Sequence, residues 1–163
     1  MNKLRAEDLA FLERAPKRWD FEEPVAAPPE DVFAAISAEP STWTWFPGLS
    51  RDARYHGPGP HGVGSKREVS MAGTTYRETI LAWDAPTRWA YRVDECSVPI
   101  ARALVEDWVI SPAAGGSVVR WTFTIDPRAP FIAGMPVAGK LMGSLFAKAM
   151  KNLSEQLQAA RTK

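Results

Sequence analysis

Four polar side chains are the candidates for chemistry in this sequence of 163 residues. Arg67, Glu78, Tyr91 and Glu106 could bind the polar group of a ligand, and the first three could also serve in catalysis. An arginine can stabilise an enolate oxygen, while a tyrosine or a glutamate can donate and accept protons. All four lie in stretches that read as β-strands, so their use depends on which face of a sheet each occupies.

The other chemical motifs are weak. Residues 57–62 match G-x-G-x-x-G, but no helix follows, and the prolines at two positions lack the amide hydrogens that a pyrophosphate needs. His56, His61 and Cys96 show no metal-ligand spacing, so no metal site is expected. The pattern G-x-S-x-G is absent. We therefore expect neither a cofactor nor a nucleophilic triad.

The composition is typical of a globular domain, with 45% hydrophobic and 24% charged residues. A net charge of +1 gives no general electrostatic case for nucleic acid as a partner. One cysteine excludes an internal disulfide and is compatible with a reducing compartment. No signal-peptide pattern or run of 18 apolar residues occurs. We expect a cytoplasmic protein without membrane insertion, either a monomer or a simple oligomer such as a homodimer.

Strand signals separated by short turns dominate the middle of the chain and predict antiparallel pairing. The predicted strands are 18–26, 51–56, 64–71, 74–83, 87–94, 103–111 and 117–126. A short helix over 30–38 and a single turn over 41–46 follow the first strand. Residues 1–17 form an N-terminal extension, with a short helix predicted over 4–14, and residues 18–163 form one domain.

A long amphipathic helix is predicted over residues 136–161, because apolar residues recur there at steps of three and four. Its bulky ridge consists of Met142, Phe146, Leu153 and Leu157. A second stripe of small residues consists of Gly139, Gly143 and Ala147. This stripe has two interpretations: a strand or the N-terminal segment approaches it closely, or the missing side chains leave space for a ligand.

Strand periodicity predicts which side chains face the helix. A two-residue turn at 72–73 sets Arg67 opposite Glu78 on the inner face. Such a pair either forms a buried hydrogen-bonded ion pair, lines a wet cavity or is solvated at an open end of the sheet. The phase of 103–111 is ambiguous, and we favour the face with Glu106 and Trp108 inward because its apolar bulk is larger.

The predicted inner face is rich in aromatic rings. Its members are Tyr76, Trp89, Tyr91, Trp108, Trp121 and Phe123. A four-residue loop over 113–116 sets Trp108 opposite Trp121 and Glu106 opposite Phe123. Each ring alone is explained by core packing, but together such rings tend to leave gaps that suit flat or hydrophobic ligands.

The order of these features resembles a known family, the START-related polyketide cyclase and lipid-transfer superfamily (SRPBCC). The resemblance covers about residues 25–157. It is carried by the strand-to-helix entry 25–33, the Trp-rich segment 43–48, the Gly-Pro loop 57–64, the Arg-Glu pair 77–78, the segments 84–91 and 115–121, and the long helix. It implies an α+β helix-grip fold. In that fold a curved antiparallel sheet of about six to seven strands wraps around the C-terminal helix, short helices follow strand 1, and a cavity lies between sheet and helix.

The resemblance does not determine the reaction, so three functions stay open. The preferred one is binding of a hydrophobic or aromatic small molecule, lipid- or polyketide-like, in the cavity. The alternative is a polyketide cyclase or dehydratase, and the second alternative is a protein-interaction module that presents Trp43 and Trp45. The expected ligand-binding residues are Arg67, Tyr76, Glu78, Tyr91, Glu106, Trp108, Trp121, Phe123, Met142 and Phe146. A cavity below roughly 300 Å³ would argue against a drug-sized ligand.

Overall fold

An antiparallel sheet of eight strands wraps around a long C-terminal helix in the computed structural model, which describes residues 1–162. The strands are β1 (Asn2–Lys3), β2 (Lys17–Val25), β3 (Arg54–Tyr55), β4 (Lys66–Met71), β5 (Thr74–Asp84), β6 (Arg88–Cys96), β7 (Ala101–Ala113) and β8 (Gly116–Pro127). The helices are α1 (Phe11–Arg14), α2 (Pro29–Ser37) and α3 (Met135–Arg161), with 3-10 segments at Pro40–Thr42 and Ala129–Gly134. The spatial order is β2-β8-β7-β6-β5-β4-β3, and β1 pairs with β6. The predicted helix-grip fold is confirmed.

The hairpin of β4 and β5 has the predicted register. Ala72 and Gly73 both have positive φ, at 49° and 82°, which is the backbone that a tight two-residue hairpin turn requires. Arg67 is therefore the direct cross-strand neighbour of Glu78. The turn places both side chains on the face that α3 covers.

The phase favoured for β7 is also confirmed. Trp108 pairs with Trp121, and Glu106 pairs with Phe123. Both strands run further into the connection than predicted, because Ala113 already pairs with Gly116. The predicted four-residue loop is therefore a two-residue turn, and the predicted pairing is unchanged.

The N-terminal segment differs from the prediction of a helix over 4–14. Only α1 is helical. The amides of Leu4 and Arg5 donate to the carbonyls of Asp94 and Arg102, so the residues before α1 run extended along the sheet. Phe11 and Leu12 of α1 are buried and pack with Ala103 and Val105 on the outer face of the sheet. The predicted strand over 51–56 is likewise shorter, with two residues in β3.

The small-residue stripe of α3 lies against β2. A methyl group added at Gly139 would lie 2.4 Å from Nε1 of Trp19, and one added at Gly143 would lie 3.1 Å from Cε1 of Phe21. The close-approach interpretation is therefore correct, and the interpretation that the glycines leave space for a ligand is wrong.

The two halves of α3 have different surroundings. Phe146, Ala149, Met150 and Leu153 are buried in the core. By contrast, Ile132, Val137 and Leu141 are exposed at or near the start of the helix. By length and composition alone, the segment Ala129–Arg161 is apolar enough to cross a membrane. The expectation of no membrane insertion therefore stays a prediction.

We expect Gly139→Ala to lower the free energy of unfolding by about 1 kcal/mol, measured by chemical denaturation. Overpacking costs about 1–3 kcal/mol, which exceeds the gain of up to ~1 kcal/mol in helix propensity. Gly134→Ala is the control, because nothing lies within 4 Å of its added methyl group. A Gly139→Ala protein more stable than the wild type would contradict the close contact with Trp19.

Candidate functional site

A cavity of about 220 Å³ lies between the inner face of the sheet and the N-terminal half of α3. The helix contributes Met135, Ala138, Met142 and Leu145, spaced by three and four residues. The sheet contributes mainly aromatic rings, and its polar lining is Arg67, Glu78, Glu106 and two tyrosines. The volume is below the roughly 300–1,000 Å³ of sites for drug-sized ligands. It exceeds the roughly 150 Å³ of a cavity that holds benzene, so a one- or two-ring ligand matches its size.

The polar end of the cavity is built around a buried ion pair. Nε of Arg67 lies 2.5 Å from Oε2 of Glu78, and both side chains are almost fully buried. The guanidinium carbon lies 5.1, 4.5 and 4.6 Å from the ring centroids of Trp43, Trp89 and Tyr91. These aromatic faces stabilise a cation that water does not reach. The pair is therefore not solvated at an open end of the sheet.

Arg67 and Glu78 each favour the charged form of the other. Burial alone would lower the pKa of Arg67, but Glu78, with smaller contributions from Tyr91 and Tyr55, opposes that effect and the pKa is raised. Burial raises the pKa of Glu78, and the adjacent guanidinium opposes that rise. Protonating Glu78 would leave a guanidinium that cannot lose its proton without a counter-charge. The two buried side chains thus form a dipole in the cavity wall.

Glu106 is the titratable carboxyl group of the cavity. Its Oε2 accepts hydrogen bonds from the Tyr91 hydroxyl and, at 2.8 Å, from Nε1 of Trp121. Burial, followed by the charge of Glu78, raises the pKa of Glu106 to about 7. Burial and the charge of Glu106 raise the pKa of Tyr91 well above its usual value. Tyr91 therefore remains a hydrogen donor, while Glu106 can hold or release a proton near neutral pH.

The cavity brings together all but one of the expected ligand-binding residues. The exception is Phe146, which is fully buried behind the wall, with its ring centroid 5.7 Å from that of Trp108 and 5.5 Å from that of Trp121. Trp89, another predicted inner-face ring, is also buried outside the lining. That the lining residues bind a ligand stays a prediction. Within residues 1–162, no group of three or more His, Cys, Asp or Glu side chains could hold a metal ion.

Sequence reasoning missed part of the wall. Trp43 lines the cavity and stacks on Trp45 with centroids 4.7 Å apart, and both rings are buried. These two residues therefore do not form the exposed aromatic patch that an interaction module would present. Ala138 and Leu145 were also missed, although their spacing from Met142 places them on one face of the predicted helix.

Comparisons with known proteins agree with this architecture. Residues 18–158 match the family model described as polyketide cyclase / dehydrase and lipid transport. An uncharacterized protein of Mycobacterium tuberculosis is 28% identical over 152 residues, which cover 93% of this chain and 90% of that protein.

Two solved structures are similar in fold. A START superfamily protein from Mycobacterium smegmatis has a TM-score of 0.70 at 13% identity, covering 88% of this chain and 98% of that one. A protein from Thermus thermophilus has a TM-score of 0.68 at 20% identity, covering 88% and 99%. At these identities the likeness supports the fold and leaves the ligand open.

We expect Glu106→Gln to stabilise the protein increasingly as pH rises. A carboxyl group with a raised pKa contributes stability below its ordinary pKa of 4.5, and this is lost as pH rises through its folded value of about 7. The variant should match the wild type near about pH 4 and exceed its free energy of unfolding by about 3 kcal/mol above about pH 8. Denaturant unfolding at several pH values measures this difference.

Glu22→Gln is the control for this experiment, because Glu22 is exposed on β2. A stability difference for Glu106→Gln that is independent of pH would show that Glu106 does not titrate near neutral pH in the folded protein.

Proposed function

Because the chain belongs to the polyketide cyclase/dehydrase and lipid transport family, we propose that it binds a hydrophobic small molecule of one or two rings. The ligand occupies the cavity between the sheet and α3. The observation that carries this proposal is an apolar cavity of about 220 Å³ with polar groups confined to one wall. Such a site combines hydrophobic burial of a ring system with orientation by a few polar contacts.

The shape of the wall supports an aromatic ligand over a flexible chain. Trp108 and Trp121 are stacked with centroids 5.5 Å apart, and Phe123 meets Trp121 edge-on. Rigid rings of this kind present flat apolar surfaces, against which another ring packs with little loss of conformational freedom. Met142 and Leu145 provide adaptable side chains on the helix side.

A second candidate function is proton-transfer catalysis, such as the dehydration of a β-hydroxy ketone. It is favoured by Glu106, whose pKa of about 7 suits a general base or acid at neutral pH. Glu78 is less suited to this role because its carboxylate is paired with Arg67, and Tyr91 serves as a donor to Glu106. The probe is 3-hydroxy-1-tetralone. Its conversion to naphthol and water should be accelerated by the wild type and not by Glu106→Gln, while equal rates with and without protein would exclude this candidate for that probe.

The binding proposal is tested with the hydrocarbon tetralin by isothermal titration calorimetry. We expect one tetralin per chain and at least about tenfold weaker binding to Ala138→Trp, because the larger side chain fills the cavity. Ala133→Trp is the matched control, since Ala133 is exposed and outside the lining. Equal affinity of the wild type and Ala138→Trp would show that tetralin binds elsewhere.

A further inference from the structure

Four buried side-chain nitrogens lack a hydrogen-bond partner in the part of the chain that the structure describes, and all four are N–H donors. They are Nη1 of Arg67 and the indole nitrogens of Trp43, Trp89 and Trp108. Arg67, Trp43 and Trp108 line the cavity, whereas Trp89 does not and lies beside the Tyr55 hydroxyl. A buried donor without a partner is costly in free energy. Three of them on residues of one cavity require an explanation.

The residues that carry the three donors lie close together. The guanidinium carbon of Arg67 lies 5.1 Å from the ring centroid of Trp43, and the ring centroids of Trp43 and Trp108 are 6.3 Å apart. None of the three donates to the nearby carboxylates. Oε2 of Glu78 accepts from Nε of Arg67, and Oε2 of Glu106 accepts from two other donors. This end of the cavity therefore carries three N–H groups without an acceptor.

We propose that Arg67, Trp43 and Trp108 form a subsite for the oxygen of a neutral carbonyl group, as in a ring-borne ketone or quinone. This inference rests on the proposed function, because it requires a ligand in the same cavity. A carbonyl oxygen has two lone pairs and can accept from Nη1 of Arg67 and from one indole N–H together. The rest of the ligand then lies against the apolar wall, where no polar group is needed.

Charge favours a neutral acceptor over an anion. The positive charge of Arg67 is already balanced by Glu78 at 2.5 Å, and Glu106 is a second acidic group on the same wall. A carboxylate ligand would bring a further negative charge into a site with little water, where like charges repel strongly. A carbonyl group supplies the missing acceptor without that charge.

Three ligands of nearly equal size test the proposal by isothermal titration calorimetry at about pH 8. They are tetralin, α-tetralone and the tetralin that carries a carboxylate in place of the ketone. We expect α-tetralone to bind roughly tenfold tighter than tetralin, and the carboxylate to bind more weakly than α-tetralone.

Each outcome has a distinct meaning. Equal affinities of tetralin and α-tetralone would overturn the carbonyl subsite while the proposed hydrophobic site stands. Tightest binding by the carboxylate would overturn the neutral ligand and indicate an anion site. Absence of binding by all three would overturn the proposed function together with the subsite.

Single substitutions locate the subsite. Trp108→Phe and Trp43→Phe each keep an aromatic ring but remove the indole N–H, so the preference for α-tetralone over tetralin should fall several-fold in at least one of them. Trp89→Phe is the matched control, since Trp89 is as deeply buried but outside the lining. An unchanged preference in both cavity variants would overturn the assignment of these donors. Circular dichroism confirms folding, and if Trp108→Phe fails to fold then Trp43→Phe decides.

Discussion

The buried ion pair between Arg67 and Glu78 is the interaction on which the polar end of the cavity depends. Two opposite charges can be held away from water only if their geometry is good and their surroundings compensate them. The hairpin of β4 and β5 supplies the geometry, and the rings of Trp43, Trp89 and Tyr91 cover the guanidinium. Removing one partner of such a pair costs about 3–5 kcal/mol, because the other charge is left unpaired. Substituting either residue alone is therefore expected to destabilise the fold.

This pair makes one end of an otherwise apolar cavity polar. At one end, three N–H groups have no hydrogen-bond partner, and beside them Glu106 is a carboxyl group that titrates near neutral pH. Elsewhere the wall consists of aromatic rings and the side chains of α3. A ligand is thus oriented by its one polar atom and retained by burial of its rings. The same arrangement would suit proton transfer next to a carbonyl group, which is why binding and catalysis share the site.

Much of this arrangement follows from local sequence rules. Strand alternation and the turn at 72–73 were sufficient to predict that Arg67 faces Glu78, because a two-residue turn determines the register of its hairpin. The position of Trp43 could not be predicted in this way. It lies in a loop without periodicity, and its contacts with the guanidinium come from distant parts of the chain. The stripe that begins at Gly139 was equally undecided, because small residues indicate a close neighbour without saying which one. Trp19 proved to be that neighbour.

The most direct test of the carbonyl subsite is a crystal structure of the protein with α-tetralone. We predict that the ring system lies between Met142 and Trp121, with the ketone oxygen within hydrogen-bond distance of Nη1 of Arg67 and of an indole nitrogen. We also predict that the Arg67–Glu78 pair remains intact. A ligand bound outside the cavity, or inside it with the ketone oxygen directed away from Arg67, would show that this subsite does not exist.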